Sequence, residues 1–244
     1  MMAPVANYLR LWDYASAARV DEFIANSENV RRRIWRCYRR ESEVIYPPVA
    51  VETFFWKEPE DYYLIVSELV AYKRIDVAVR LFSKTGRKLC VVGDGPEYSS
   101  LKSMARPNVE FRGRVSDAEL RELYSRCRAF LMPGEEDFGI TVVEALASGK
   151  AVIALGRGGV LESAPPEDRL GGVFYAEPDE QQLEQAIARF ENVESEIMPH
   201  DLQASVTRFS EAVFLSKMSR ILNQPQPTSR ASRSAPPVSC VSES

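Results

Sequence analysis

The chain holds a single histidine in 244 residues, so no HExxH metal pair can form and a catalytic triad has one candidate base at most. That histidine, His200, stands between Pro199 and Asp201 among polar, turn-forming residues, and a solvated position is expected for it. Cysteine is sparse too: Cys37, Cys90, Cys127 and Cys240 lie far apart with no CxxC pair. This excludes a zinc ribbon and argues against a disulfide framework, which suits a reducing cytoplasm. Cys90 and Cys127 read as core fillers. No apolar run approaches the ~20 residues that span a bilayer, and the N-terminus lacks the charged and apolar regions of a secretory signal. A strong excess of either charge is absent too, and a formal net charge of −4 gives no global attraction to nucleic acid. What remains, with 45% hydrophobic and 27% charged residues, is the composition of an ordinary globular protein.

Short apolar runs alternate with helical patterns along most of the chain. Residues 7–18 read as a helix with Leu9 and Trp12 on one side, and Trp12 and Trp35 are expected to pack rather than to bind a ligand. Ser27 is the expected N-cap of a helix to about Arg40, with Val30, Ile34 and Tyr38 recurring at i, i+4 and i+8. Its other faces carry Arg31, Arg32, Arg33, Arg36, Arg39 and Arg40. A solvated face is favoured for these over an anionic membrane surface or a polyanion site. Val44–Tyr46 is a strand stopped by Pro47 and Pro48.

Strands are expected at 62–67, 88–92, 109–112, 129–132, 151–155 and 172–176, each followed by a helix except 151–155, after which a Gly158-Gly159 turn is expected. Gly86 supplies a C-cap, Ser116 with Glu119 a capping box, and Asp179 with Gln182 a helix start. A closing helix over 211–222 follows Ser210. This alternation describes an α/β fold, a doubly wound, Rossmann-like parallel sheet with its ligand crevice at the carboxyl ends of the strands. From Gln224 onward the sequence is rich in Pro and Ser and reads as a disordered tail.

The stretch from Leu131 to Leu155, LMPGEEDFGITVVEALASGKAVIAL, carries the chemistry. It reads as strand, acidic loop, helix, strand. A helix beginning near Ile140 presents free N–H groups of Gly139, Ile140 and Thr141 and a partial positive charge, an anion site that needs no side chain. Glu144, one turn into the helix, leans back toward that site. A carboxylate beside an anion is repulsive unless it accepts from hydroxyls, as it would from a ribose diol. Glu136, in the loop, could accept from a second set of hydroxyls. Diol, diphosphate and polyol together describe a sugar nucleotide. Gly93-Asp94-Gly95 does not complete a dinucleotide fingerprint, because Tyr98 occupies the third glycine position.

Glu136 and Glu144, with seven residues between them, resemble the Glu-x7-Glu signature of family 4 retaining glycosyltransferases of the GT-B fold. LVAYKRIDVAVRLF (69–82), VVGDGPE (91–97), VEFRGRVSDAELRELYSRCRAFLMP (109–133) and GRGGVLES (156–163) resemble the same family in the same order. IANSENVRRRI and VIYPPVAVETF resemble its domain junction, so the resemblance covers about residues 8–222. It implies that Glu136 contacts the donor sugar, Glu144 the ribose and Lys73 the diphosphate. The backbone of Phe138, Gly139 and Ile140 would line sugar and phosphate, and Gly113, Arg114 and Val115 would frame the base. Catalysis would fall to Glu136 and Lys73, with retention of configuration, no cofactor and no metal.

Two departures stand out. Glu68 occupies the position where the family usually has a phosphate-binding arginine, and Arg157 is a candidate to compensate. The chain also begins near the end of what would be an N-terminal, acceptor-binding domain. Residues 1–46 are expected to be the remnant and junction, 47–210 the nucleotide-sugar-binding domain and 211–223 a closing helix. The terminal helices would then expose apolar surface. The expected partners are a nucleotide sugar, with GDP-mannose favoured and UDP-sugars next, and the missing acceptor domain. No nucleic acid is expected. The expected location is the cytoplasm, with peripheral contact at the inner face of the membrane. A glycosyltransferase, a nucleotide-sugar-binding module and an inactive fragment remain the three readings.

Overall fold

A computed structural model describes residues 2–165 and 167–223; the stretch read as a tail, with Cys240, lies outside them. Six strands form one parallel sheet: β3 (Tyr63–Val66), β4 (Leu89–Val92), β5 (Val109–Gly113), β6 (Ala129–Met132), β7 (Ala151–Leu155) and β8 (Gly172–Tyr175). Their spatial order is β5-β4-β3-β6-β7-β8, and every pairing is parallel. The chain therefore starts in the middle, winds outward to one edge, returns beside its starting strand and winds outward to the other. β3 and β6 diverge at this reversal, which opens a crevice beyond their carboxyl ends.

The strands are apolar on both faces because helices cover both. Tyr63, Ile65, Leu89, Val91, Leu131 and Ile153 point into one core layer, shared with α3 (Ile75–Thr85) and α8 (Glu180–Val193). Leu64, Cys90, Phe130, Met132, Val152 and Ala154 point into the other, shared with α5 (Asp117–Arg126), α6 (Ile140–Ala147) and α9 (Pro199–Ser205). The period-two alternation of the pleat divides the layers. α4 (Tyr98–Met104) and α7 (Val160–Ser163) complete the connections. Gly86 closes α3 at φ 77°, and Asp179 and Ser210 cap α8 and α10 (Glu211–Leu222) through their side chains. Cys90 and Cys127 are buried as expected. His200 belongs to a helix rather than a turn; its imidazole is solvated as expected and sits 2.8 Å from Asp201.

Ahead of the sheet, α1 (Met2–Ala17) leads to a small parallel pair, β1 (Ile24–Ala25) and β2 (Glu43–Val44), bridged by α2 (Glu28–Tyr38). Ser27 caps α2 by accepting from Val30 N–H at 3.1 Å. Trp12 and Trp35 do not pack as expected: they are 58% and 48% exposed. They project from faces of α1 and α2 against which no described element is laid. Val5, Tyr8, Leu9 and Leu11 on α1 and Leu215 and Leu222 on α10 are also exposed, in line with the apolar surface expected on the terminal helices. Among the described residues no helix is long and apolar enough to cross a membrane.

Candidate functional site

The crevice beyond β3 and β6 gathers residues from four segments. β3 runs into Ser67-Glu68, and a 3-10 turn over Ala71–Lys73 follows. The turn closes with Arg74 in the left-handed region at φ 52°. β6 runs into Pro133-Gly134 and the acidic loop. Gly134 holds the two together, since a Cβ there would lie 2.6 Å from Lys73 Cα and 2.7 Å from its carbonyl oxygen. This backbone approach delivers Lys73 to the loop, and its Nζ forms an ion pair with Glu136 across 63 residues of sequence. Lys73 is only 12% exposed and Glu136 28%. Both border a narrow cleft with Ser67, Gly134 and Thr141.

Gly139 precedes α6 at φ 87°, a conformation in which a side chain is strained. The first intrahelical bonds run from Val142 and Val143 N–H to the Gly139 carbonyl. The N–H groups of Gly139, Ile140 and Thr141 donate to no acceptor among the described residues. They are the free donors expected from the sequence. Glu144 follows one turn later. Its Oε2 accepts from the Tyr124 hydroxyl at 2.9 Å. Burial pushes the Glu144 carboxyl above its ordinary range, the Tyr124 hydrogen bond and the Arg121 charge act against that rise, and Asp117 adds to it.

On the other side of Thr141 lies an open crevice of about 600 Å³, lined by Ser67, Glu68, Gly93, Asp94, Arg114 and Thr141 among others. Gly113 ends β5 at φ 63° and its carbonyl accepts from Gly93 N–H at 2.8 Å. Arg114 thus shares one crevice with Thr141, while Val115 packs toward the core layer of α5 and α6. Glu68 lines the same crevice, so this departure faces the site. Arg157 is not drawn to Lys73: its guanidinium pairs with Glu177 at 2.6 Å.

Several supports were not visible in the sequence. Phe138 is 3% exposed, its ring stacked on Tyr46 at 5.5 Å and edge-on to Phe209 at 5.2 Å, so the side chain anchors the loop. The Gly158-Gly159 turn is an abutment: Gly159 N–H donates to the Glu136 carbonyl at 2.8 Å, and a Cβ on Gly159 would overlap the Asp137 carbonyl oxygen and Phe138 Cα. The arginine run of α2 and the residues just after it is not uniformly solvated. Arg33 grips Asp137 through two bonds of 2.7 and 2.6 Å, and Arg40 donates to the carbonyls of Ala17, Val20 and Asp21. Glu162 caps α2 from outside, accepting from Glu28 N–H at 2.7 Å and Asn29 N–H at 2.8 Å. The acidic loop is therefore pinned by α2, by the glycine turn and by an aromatic cluster. Only the doublet Gly158-Gly159 was a readable signal for any of this.

Residues 51–207 match the model of a protein family described as glycosyl transferases, group 1. The chain belongs to this family. Among its relatives, the O-antigen chain mannosyltransferase RfbU of Salmonella typhimurium is 30% identical over 211 residues, covering 76% of this chain and 58% of RfbU. A GDP-mannose-dependent alpha-mannosyltransferase of Mycobacterium tuberculosis is 36% identical over 124 residues, covering 50% of this chain and 32% of that enzyme. The chain thus spans roughly a third to three-fifths of the length of these relatives. Among solved structures, Anabaena HepE in complex with UDP and glucose superposes with a TM-score of 0.72 at 19% identity, covering 84% of this chain and 64% of HepE. Sucrose-phosphate synthase from Thermosynechococcus elongatus superposes with a TM-score of 0.73 at 20% identity, covering 82% and 57%. Such likeness establishes the Rossmann-like fold of these glycosyltransferases.

Proposed function

We propose that this group 1 glycosyl transferase chain supplies the donor-binding half of a retaining hexosyltransferase that uses a nucleoside-diphosphate sugar. The observation that carries the reading is the convergence of Lys73, Glu136 and the free N–H groups of Gly139, Ile140 and Thr141 at the sheet reversal. Those N–H groups and the α6 dipole would receive the diphosphate, with Lys73 adding a charge-assisted contact. Glu136 would then exchange its contact with Lys73 for hydroxyls of the sugar. Glu144 would accept from the ribose diol, and Gly113 and Arg114 would border the base. As the acceptor attacks, the positive end of α6 and Lys73 stabilise charge developing on the leaving diphosphate. No cofactor or metal is needed for this reading.

GDP-mannose is the favoured donor, supported by the mannosyltransferases among the relatives; the UDP carried by HepE makes UDP-sugars the next candidates. In this reading residues 47–210 form the donor domain and residues 1–46 with 211–223 its junction. The exposed apolar residues of α1 and α10 would meet an acceptor-binding domain. The test is titration calorimetry of the chain with GDP, UDP, GDP-mannose and UDP-glucose, then a transfer assay with an acceptor-binding half supplied. Binding of one nucleotide and its sugar, lost in Lys73→Met, is the expected result. Absence of binding to all four overturns the reading, and binding without transfer in the paired assay leaves a binding module.

A further inference from the structure

Tyr124 belongs to the core layer that α5 and α6 share, and its surroundings leave it no freedom. It is fully buried at 0% exposure. Its ring lies edge-on to Phe54 at 5.9 Å and tilted against Phe130 at 5.7 Å, and its backbone carbonyl accepts the Cys127 thiol at 3.3 Å. The hydroxyl is therefore a fixed point of the fold, and it donates to Glu144 Oε2 across 20 residues of sequence. Burial raises the phenol well above its ordinary range, so it stays a donor.

The terminal torsion of a glutamate is broad and roughly two-fold, so a free carboxylate swings. Here one oxygen is tied to a rigid donor, while Glu144 Oε1 accepts nothing among the described residues. A carboxylate fixed this way presents its unused lone pairs in one direction, and both hydroxyls of a cis-diol can meet them together. The hydrogen bond also favours the ionised carboxylate, the acceptor-only form, against the desolvation that opposes it.

We infer that Tyr124 is a positioning residue that locks the Glu144 carboxylate for a ribose diol and so makes the site select ribonucleotides over 2′-deoxyribonucleotides. This rests on the nucleoside-diphosphate reading of the site. Were Tyr124 merely satisfying its own buried hydroxyl, its removal would weaken ribo- and deoxyribonucleotides alike. Locking the acceptor makes a different demand, because only the ligand with both hydroxyls gains from it.

The experiment is calorimetric titration of the full chain with GDP, UDP and their 2′-deoxy counterparts, using the wild type, Tyr124→Phe, Glu144→Gln and the double variant. The wild type is expected to prefer ribose by roughly tenfold or more, the size of a hydrogen bond to a charged group. Tyr124→Phe should cut that preference several-fold with little change in 2′-deoxynucleotide affinity. Glu144→Gln should remove most of it, and the double variant should add nothing beyond Glu144→Gln. If Tyr124→Phe does not fold, Tyr124→Met, which removes the same hydroxyl and fills the core with an adaptable apolar chain, carries the same comparison. Equal weakening of both ligand classes, or an unchanged preference, overturns the inference and leaves the donor site standing. Failure of the wild type to bind any of the four removes the donor-site reading itself, and this inference with it.

Discussion

Glu136→Gln should tighten the binding of a bare nucleoside diphosphate while loosening the binding of its sugar conjugate. The reason lies in the ion pair at the mouth of the site. Lys73 is already engaged by Glu136 before any ligand arrives, and both are largely withdrawn from solvent. An incoming diphosphate must draw Lys73 away from a carboxylate that also repels it. Two unit charges 4 Å apart interact by about 4 kcal/mol at an effective dielectric of 20, but desolvation offsets most of this in a partly buried pair. A net competition of about 1 kcal/mol remains, so neutralising Glu136 should strengthen GDP or UDP binding about fivefold. Lys73→Met removes a charge-assisted contact of about 1.5–3 kcal/mol and should weaken the same ligand roughly 10- to 150-fold. For the sugar nucleotide the sign reverses, because Glu136→Gln loses the ionised acceptor of the sugar hydroxyls. The ratio of sugar-nucleotide to nucleotide affinity should fall by about tenfold or more. Calorimetry at fixed ionic strength reads both ratios. If Glu136→Gln weakens the bare diphosphate in parallel with Lys73→Met, Glu136 does not compete for the lysine and the exchange is wrong.

Acid should weaken the ligand before it weakens the fold. The Glu144 carboxyl is raised chiefly by burial, so its acceptor form is lost as pH falls through a value above the ordinary 4.5, and nucleotide affinity should fall there. The facing groups Tyr124, Arg121 and Asp117 set that position; Glu144→Gln should flatten the acid limb. A raised carboxyl pKa favours the folded protonated form, so Glu144 itself costs no stability on acidification. Lys150 gives the opposite handle: it is 2% exposed, its ammonium donates to the Lys57 carbonyl at 2.8 Å, and burial lowers its pKa to about 8. Between about pH 8 and the unfolded value of 10.5 the unfolded chain binds the extra proton. Stability measured by urea unfolding should therefore rise across that window with a contribution of up to about 1.4 kcal/mol per pH unit. Lys150→Met should lack that contribution, and an identical slope in wild type and variant would refute it. Gly159→Ala should destabilise the chain by about 1–3 kcal/mol, since its Cβ would overlap Asp137 and Phe138. Thermal unfolding checks this, and nucleotide affinity should fall with it as the acidic loop shifts.

The sheet was legible because its signals are local. Each strand is a short apolar run, and the caps at Ser27, Ser116, Asp179 and Ser210 all accept the backbone N–H that their position demands. The free N–H groups of α6 were legible for the same reason, since Gly139 and the helix start are neighbours in sequence. What was not legible depends on pairs brought together from afar. Nothing in the arginine run of α2 says that Arg33 reaches Asp137 across 104 residues, or that Glu162 caps α2 from a distance of 134. Phe138 was read for its backbone, yet its ring holds the loop against Tyr46 and Phe209. Trp12 and Trp35 failed for the converse reason: an apolar stripe predicts a buried face only where another element is laid against it. The Lys73–Glu136 pair is the most consequential product of folding, since resemblance assigned the two to different parts of the ligand and the fold first joins them to each other.

In the proposed site the diphosphate of a sugar nucleotide sits on the amino end of α6 beside Lys73. The most direct measurement is a crystal structure of the chain grown with GDP or UDP. Diphosphate oxygens should lie within hydrogen-bond distance of the Gly139, Ile140 and Thr141 N–H groups and of Lys73 Nζ, with Glu136 turned away from the lysine. A nucleotide bound instead at the opposite, amino edge of the sheet, in the cavity between Trp56, Arg128 and Lys150, would contradict this placement.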